Sequence, residues 1–137
     1  MEKTFVIIKP DAMERRLMGE IISIYEKKGL RISTLKITKP SLELARRHYQ
    51  EHKDKPFFDE LTAYLSRSEL CAMIVEGKNA VAAVRKINGV TNPLEADAGT
   101  IRGRFGLSKT ENSIHSSDSQ EHAEEEIRLW FPEFQAD

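Results

Sequence analysis

The sequence predicts an α/β chain of the α+β sandwich type, a four-stranded antiparallel sheet covered by helices. Three observations predict it. Short apolar or β-branched runs alternate with stretches of helical periodicity. Proline or glycine punctuates the joints between them. The 137 residues are enough for one full core and too few for two typical domains. No internal repeat or linker interrupts the chain, so residues 1–137 are expected to form a single domain.

The elements follow in order. "TFVII" at residues 4–8 is a strand nucleus ended by Pro10, which lacks an amide donor and restrains its neighbour. Between about 13 and 28, Leu17, Ile21, Ile24 and Lys28 recur at helical spacing, and Gly29 stands where a left-handed C-cap belongs. "RISTLKITKP" alternates Ile32, Thr34 and Lys36 with Ser33, Leu35 and Ile37, a second strand closed by Pro40. Ser41 is placed to cap a short helix with Glu43 in its first turn, but Leu44 denies it a reciprocal capping box. A helix over about 57–67 carries Phe57, Leu61, Tyr64 and Leu65 on one stripe. "LCAMIVEG" is a third strand, and Asn79 is expected to cap the helix "AVAAVRK". The segment 87–112 is rich in turn residues, and a weak strand is expected within "TIRGRFGL". Ser119 opens a last helix over about 119–131, with Ala123, Ile127 and Trp130 on one face. This order predicts a ferredoxin-like βαββαβ core with helices on one face of the sheet, whose open edge favours self-association.

Composition works mainly by exclusion. Twenty-one Lys and Arg against 22 Asp and Glu give a formal charge of -1, so no overall basic field argues for nucleic acid or membrane partners. The apolar run in "MEKTFVIIKPD" is only four residues long, too short for a signal peptide or membrane helix, and a cytoplasmic location is expected. The single Cys71 lies in a strand pattern, which argues against a disulfide scaffold or thiolate metal site. His48 and His52 are four apart and could share a helix face, yet no HExxH or cysteine cluster accompanies them, so no protein metal site is predicted.

The stretch "NSIHSSDSQEHAEEEI" holds the most informative residue, His115. An imidazole titrates near neutrality and is a good nucleophile when unprotonated, although a histidine in a loop is ordinary by itself. Lys9 follows the first strand, Arg85 ends a helix, Thr91 lies in the long loop, and Arg102 and Arg104 flank Gly103. Together these residues suggest a phosphate ligand, since fixed cationic donors stabilise the charge of a transferring phosphoryl group; singly, each is most often just solvated. "GTIRGRFG" has neither a GKS or GKT ending nor dinucleotide spacing. Phosphate must therefore be held by side chains, and a histidine could keep the phosphoryl group between two half-reactions.

"NSIHSSDS" resembles the NxxH(G/A)SD signature of nucleoside diphosphate kinases, and "FVIIKPDA", "HYQEH", "KPFFDEL", "TNPLEADAGTIRG" and "EEEIRLWF" follow in family order. The resemblance implies reversible, ping-pong transfer of a γ-phosphoryl group from a nucleoside triphosphate, typically ATP, to a nucleoside diphosphate. The intermediate would be a phosphohistidine on Nδ1 of His115, with Mg²⁺ bound mainly through the nucleotide phosphates. It implies that Lys9 contacts phosphate and sugar oxygens and that Tyr49 lies beside the histidine. Phe57 would stack on the base, supported by Leu61. Arg85, Thr91 and Arg102 would hold phosphates, and Asn112 would reach the sugar. Glu126 would bond the second imidazole nitrogen with Ser117 nearby, and Asp118 would be the acid for an outer contact to the metal. The family also implies a homo-oligomer built from dimers, hexamer or tetramer.

Four departures stand out. Ser116 replaces the usual Gly or Ala beside the nucleophile, and Lys109 replaces an apolar residue on the open side of the base. "SRSELC" at 66–71 replaces a Ser-Gly-Pro turn, and Arg104 replaces a common acid. Two rival readings accompany the enzyme: a nucleotide-binding or scaffold protein on the same fold with reduced or lost turnover, and nucleic-acid binding by the Arg102 and Arg104 pair.

Overall fold

The computed structural model describes residues 1–134. Four strands, β1 (Glu2–Ile8), β2 (Arg31–Thr38), β3 (Leu70–Gly77) and β4 (Ile114–Ser116), form one sheet in the order β2-β3-β1-β4. Every neighbouring pair is antiparallel. The helices are α1 (Pro10–Glu14), α2 (Met18–Lys27), α3 (Leu42–His48), α4 (Phe58–Leu65), α5 (Ala80–Asn88), α6 (Ile101–Phe105) and α7 (Gln120–Trp130), with a 3₁₀ turn at Gln50–His52. This is the expected ferredoxin-like sheet.

The helices cover both faces of the sheet, not one as the element order suggested. Along β1, Phe5 and Ile7 join a core with Ala45, Leu65, Ala72, Trp130 and Phe131 beneath α3, α4 and α7. Val6 and Ile8 point the other way, into a second core with Ile21, Tyr25, Met73, Val84 and Ile101 beneath α2, α5 and α6. The physical reason is legible in the two central strands: consecutive apolar residues in "FVII" and "CAMIV" give each face a hydrophobic set that must be covered.

Local chemistry accounts for most boundaries. Ser41 and Ser119 cap α3 and α7, accepting from the amides of Leu44 at 3.0 Å and His122 at 3.1 Å. Gly29 takes the left-handed conformation expected after α2, with φ 83°. Three expectations need correction. The helix expected over 13–28 is two helices, because Pro10 starts α1 at its first turn and Arg16, at φ 61°, breaks the path before α2. Asn79 occupies the position before α5 but makes no side-chain cap; the Glu2 carboxylate accepts from the Val81 amide at 2.7 Å instead. "TIRGRFGL" forms α6, since Thr100 Oγ1 accepts from the Gly103 amide at 3.1 Å and caps a turn of helix. The fourth strand lies farther on, at His115 itself.

Gly103 tests this packing. A Cβ there would stand 2.0 Å from the Asp97 carbonyl oxygen, and backbone cannot yield as a flexible side chain can. Gly103→Ala is expected to destabilise the protein by about 2 kcal/mol or more in denaturant unfolding; an unchanged midpoint would show that the 97–103 turn relaxes freely.

Candidate active site

β4 is three residues long, and its position comes from its neighbours. It pairs with β1 in the register Val6↔Ser116, Ile7↔His115 and Ile8↔Ile114. His115 therefore shares the face of Ile7, beneath α3 and α7, while Ile114 and Ser116 face the other core. The pairing continues at both ends, where the Lys9 amide donates to the Ser113 carbonyl at 2.9 Å and the Ser117 amide to the Phe5 carbonyl at 3.1 Å. Arg102 adds a side-chain brace, donating from its two terminal nitrogens to the carbonyls of Gly89 and Ile114, both at 2.7 Å.

The nucleophile candidate meets α7. His115 Nε2 lies 3.1 Å from Glu126 Oε1, which also accepts from Ser117 Oγ at 2.5 Å. Burial would raise the Glu126 carboxyl, but the facing His115, its hydrogen bond, and His48 and Ser117 outweigh it and hold the group down at about 2. An ionised carboxylate is an acceptor only, so Nε2 carries the proton and Nδ1 keeps its lone pair. His115 remains partly open, its side chain 20% exposed.

His48 is the site residue that sequence reasoning missed. Its ring centroid lies 4.5 Å from that of His115, edge to face, and its Nδ1 accepts from Trp130 Nε1 at 3.1 Å. Burial first, and then the facing His115, push His48 down to about 3, so it is neutral at any working pH. The signal was present: Ala45, His48 and Tyr49 lie at helical spacing, and all three are buried. His48 and His52 do not share a helix face, since α3 ends at His48 and His52 lies in the 3₁₀ turn. Tyr49, expected beside His115, packs edge to face on His48 at 4.8 Å.

Beyond the start of β4, Lys9 and Asn112 are buried together. Lys9 Nζ donates to Asn112 Oδ1 at 2.9 Å, and Asn112 Nδ2 donates to the Thr91 carbonyl at 3.1 Å. Thr91 thus joins the site through its backbone. Burial, and then the charge of Arg102, push Lys9 down to about 7, with Asp11 opposing. Burial also lowers Arg102, to about 10, and its Nε is buried without a hydrogen-bond partner. Two cationic groups this close, one with a guanidinium N–H left unpaired, favour negative charge nearby. Arg85 is exposed, close enough for its charge to act on both Arg102 and Asp118.

The remaining predicted residues lie at the rim. Phe57 stands at the start of α4, 42% exposed, while Leu61 is partly buried against the core below α4. Lys109 is exposed within the 108–111 turn, which touches α4 through a Thr110–Glu60 hydrogen bond of 3.5 Å. Ser116 does not present its hydroxyl to His115. Asn88 Nδ2 donates to it at 2.9 Å on the opposite face, and Tyr25 donates to Asn88 at 2.5 Å. Arg104 is turned toward Glu20, 3.9 Å away, and over the Phe105 ring, so it forms no joint patch with Arg102.

His48, His115 and Glu126 could bring three metal-donor atoms within 4.8 Å of one another. Their existing partners oppose a magnesium cage: Trp130 occupies Nδ1 of His48, His115 and Ser117 occupy Glu126, and Mg²⁺ prefers six oxygen donors. Asp118, exposed and bonded to His122, lies within reach of the Arg85 charge and is open to a hydrated cation.

Known proteins of one family are similar to this chain along nearly its whole length. The family model described as "Nucleoside diphosphate kinase" matches residues 2–136. A nucleoside diphosphate kinase of Clostridium perfringens is 53% identical over 132 residues, covering 96% of this chain and 92% of the relative. The apo crystal structure of the nucleoside diphosphate kinase from Encephalitozoon cuniculi superposes with a TM-score of 0.93 at 45% identity, covering 96% of this chain and 89% of that one. The Aquifex aeolicus nucleoside diphosphate kinase matches with a TM-score of 0.93 at 39% identity over 95% of this chain and 94% of its own. With a family model matching nearly the whole chain and a relative 53% identical over 96% of it, the chain belongs to the nucleoside diphosphate kinase family.

Proposed function

We propose that the chain is a phosphotransferase that moves the γ-phosphoryl group of a nucleoside triphosphate to a nucleoside diphosphate through phosphohistidine at His115. The observation that carries this reading is the His115 Nε2–Glu126 hydrogen bond, with the carboxylate itself held by Ser117. It leaves Nδ1 unprotonated for in-line attack on the terminal phosphorus. The N–P bond forms as the bond to the diphosphate oxygen breaks, and the diphosphate leaves with that electron pair. Nε2 becomes part of a cationic imidazole, whose charge Glu126 stabilises. The second diphosphate reverses these events.

Lys9, Arg102 and Arg85 supply the positive charge that stabilises the phosphate oxygens. Asn112, joined to Lys9 and Thr91, binds the sugar. Phe57 stacks on the base over Leu61, and the Lys109 stem covers the open side. Stacking needs only a π-face, so discrimination between bases is weak. Mg²⁺ arrives as part of the nucleotide substrate and neutralises phosphate charge there, with Asp118 as an outer contact. His48 serves as a neutral packing surface for His115.

Residues 1–137 act as one domain. The edge of β2, with Leu35 and Ile37 exposed, is our candidate contact for a dimer from which a hexamer or tetramer is built. Among the described residues no helix is long and apolar enough to cross a membrane; we read the location as cytoplasmic.

Intact-mass measurement after mixing with ATP and Mg²⁺ tests the reading. One added phosphoryl group is expected, removed by GDP as GTP forms and missing in His115→Ala. A folded His115→Ala protein that still turns over would reject the nucleophile. Glu126→Gln is expected to slow phosphorylation by roughly 10- to 100-fold, as loss of an orienting partner commonly does. Rapid-quench rates equal to the unmodified protein would remove Glu126 from the mechanism.

Lys9 adds a pH dependence. With its free-state value near 7, it is protonated below that pH and largely neutral above it. A phosphate partner favours the charged form, so nucleotide binding at about pH 8 should take up a proton, and affinity should fall as pH rises through the free-state value. Calorimetry in buffers of different ionisation enthalpy checks this; binding with no proton uptake would show Lys9 already charged.

A further inference from the structure

The turn "SRSE" after α4 engages a network that the catalytic assignments leave unused. Arg67 grips Glu14, at the end of α1, with a fork of two bonds, Nε to Oε2 at 3.0 Å and Nη2 to Oε1 at 2.6 Å. Ser68 Oγ donates to the same carboxylate at 2.6 Å. Arg67 Nη2 also donates to Glu111 Oε1 at 3.2 Å, across 44 positions of sequence. Its guanidinium carbon lies 4.8 Å from the centroid of the Tyr64 ring, and the Tyr64 hydroxyl donates to Asp11. Asp11 in turn accepts from the Ser113 amide at 3.2 Å and its hydroxyl at 3.0 Å.

These two arms end on Glu111 and Ser113, the residues on either side of Asn112. Ser113 is held at φ 76°, a conformation unusual for a residue with a side chain, so the local backbone is kept in place by its surroundings. Glu111 also closes the 108–111 turn: its carbonyl accepts from the Leu107 and Ser108 amides, and its amide donates to Ser108 Oγ at 3.0 Å. The turn after α4 is thereby connected to Asn112, which accepts from Lys9 Nζ.

We propose that Arg67 is a positioning residue for nucleotide binding, which acts through Glu111 to hold Asn112, and with it Lys9, in the geometry that receives the sugar and phosphates. The proposal rests on reading Asn112 and Lys9 as nucleotide contacts. An isolated exposed ion pair would do little. This arginine instead satisfies two carboxylates from separate segments with a planar fork, which a lysine cannot reproduce.

Steady-state and rapid-quench kinetics on Arg67→Ala, Arg67→Lys, Glu111→Ala, the Arg67→Ala/Glu111→Ala double variant and Asn112→Ala test it, with folding checked by thermal unfolding. Arg67→Ala should raise KM for both nucleotides by roughly fivefold, within the range for coupled neighbours, while phosphorylation of His115 at saturating ATP is unchanged. Arg67→Lys should fall between, and the double variant should be no worse than the more affected single variant. A normal KM in Arg67→Ala while Asn112→Ala raises it would overturn the clamp alone. A normal KM in Asn112→Ala would remove the nucleotide-contact reading and the proposal with it. Multiplying effects in the double variant, or an equal loss of kcat, would assign Arg67 a general structural role instead.

Discussion

The site depends on a three-residue strand seated against the centre of the sheet. β4 has too few residues to define its own register, and β1 defines it by pairing Ile7 with His115. Slipping by one residue would turn His115 into the opposite core and bring a serine or isoleucine to α7. Lys9, Arg102 and Ser117 all contribute to preventing this, each with a hydrogen bond that continues or braces the pairing. Lys9, Arg102 and Ser117 are also the residues proposed to serve the site, so the pairing that places the strand places them with it.

Electrostatics divides the region in two. On the α7 side a partly buried, ionised glutamate faces two imidazoles and a serine hydroxyl, and its hydrogen bonds from His115 and Ser117 compensate the cost of leaving water. Around the start of β4, Lys9 and Arg102 lie close enough for their charges to act on one another, with no carboxylate hydrogen-bonded to either, and both are lowered by burial.

The chain's departures from the common family pattern become intelligible as parts of local networks. The Ser116 hydroxyl belongs to a buried Tyr25–Asn88–Ser116 series that joins β4 to α5 and α2. Arg104 faces Glu20 on α2. Arg67 and Ser68 converge on Glu14, joining the exit of α4 to α1. Lys109 remains at the rim, on a turn tied to α4 by Thr110. In each case the changed side chain acts away from the reacting nitrogen, which is why the nucleophile and its partners can stand unchanged.

Three of the four strands, most helix boundaries and the principal catalytic candidates were legible in the sequence, because they depend on short-range patterns: apolar runs, serine caps, and motif spacing. "TIRGRFGL" misled because its apolar residues suit either state, and a threonine cap together with packing of Ile101 in the core decides for helix. Helices on both faces could be inferred only by asking where each side of a wholly apolar strand must go. His48 was obscured by its neighbours: a buried, neutral imidazole looks in sequence like a polar residue at the end of a short helix. By itself the sequence determined which residues favour strand, helix and turn, and which functional groups were available. Only the tertiary structure decided that Glu126 would meet His115, that Lys9 would meet Asn112 and that Ser116 would face away, because those relations follow from strand register and helix docking across long separations, which no local pattern encodes.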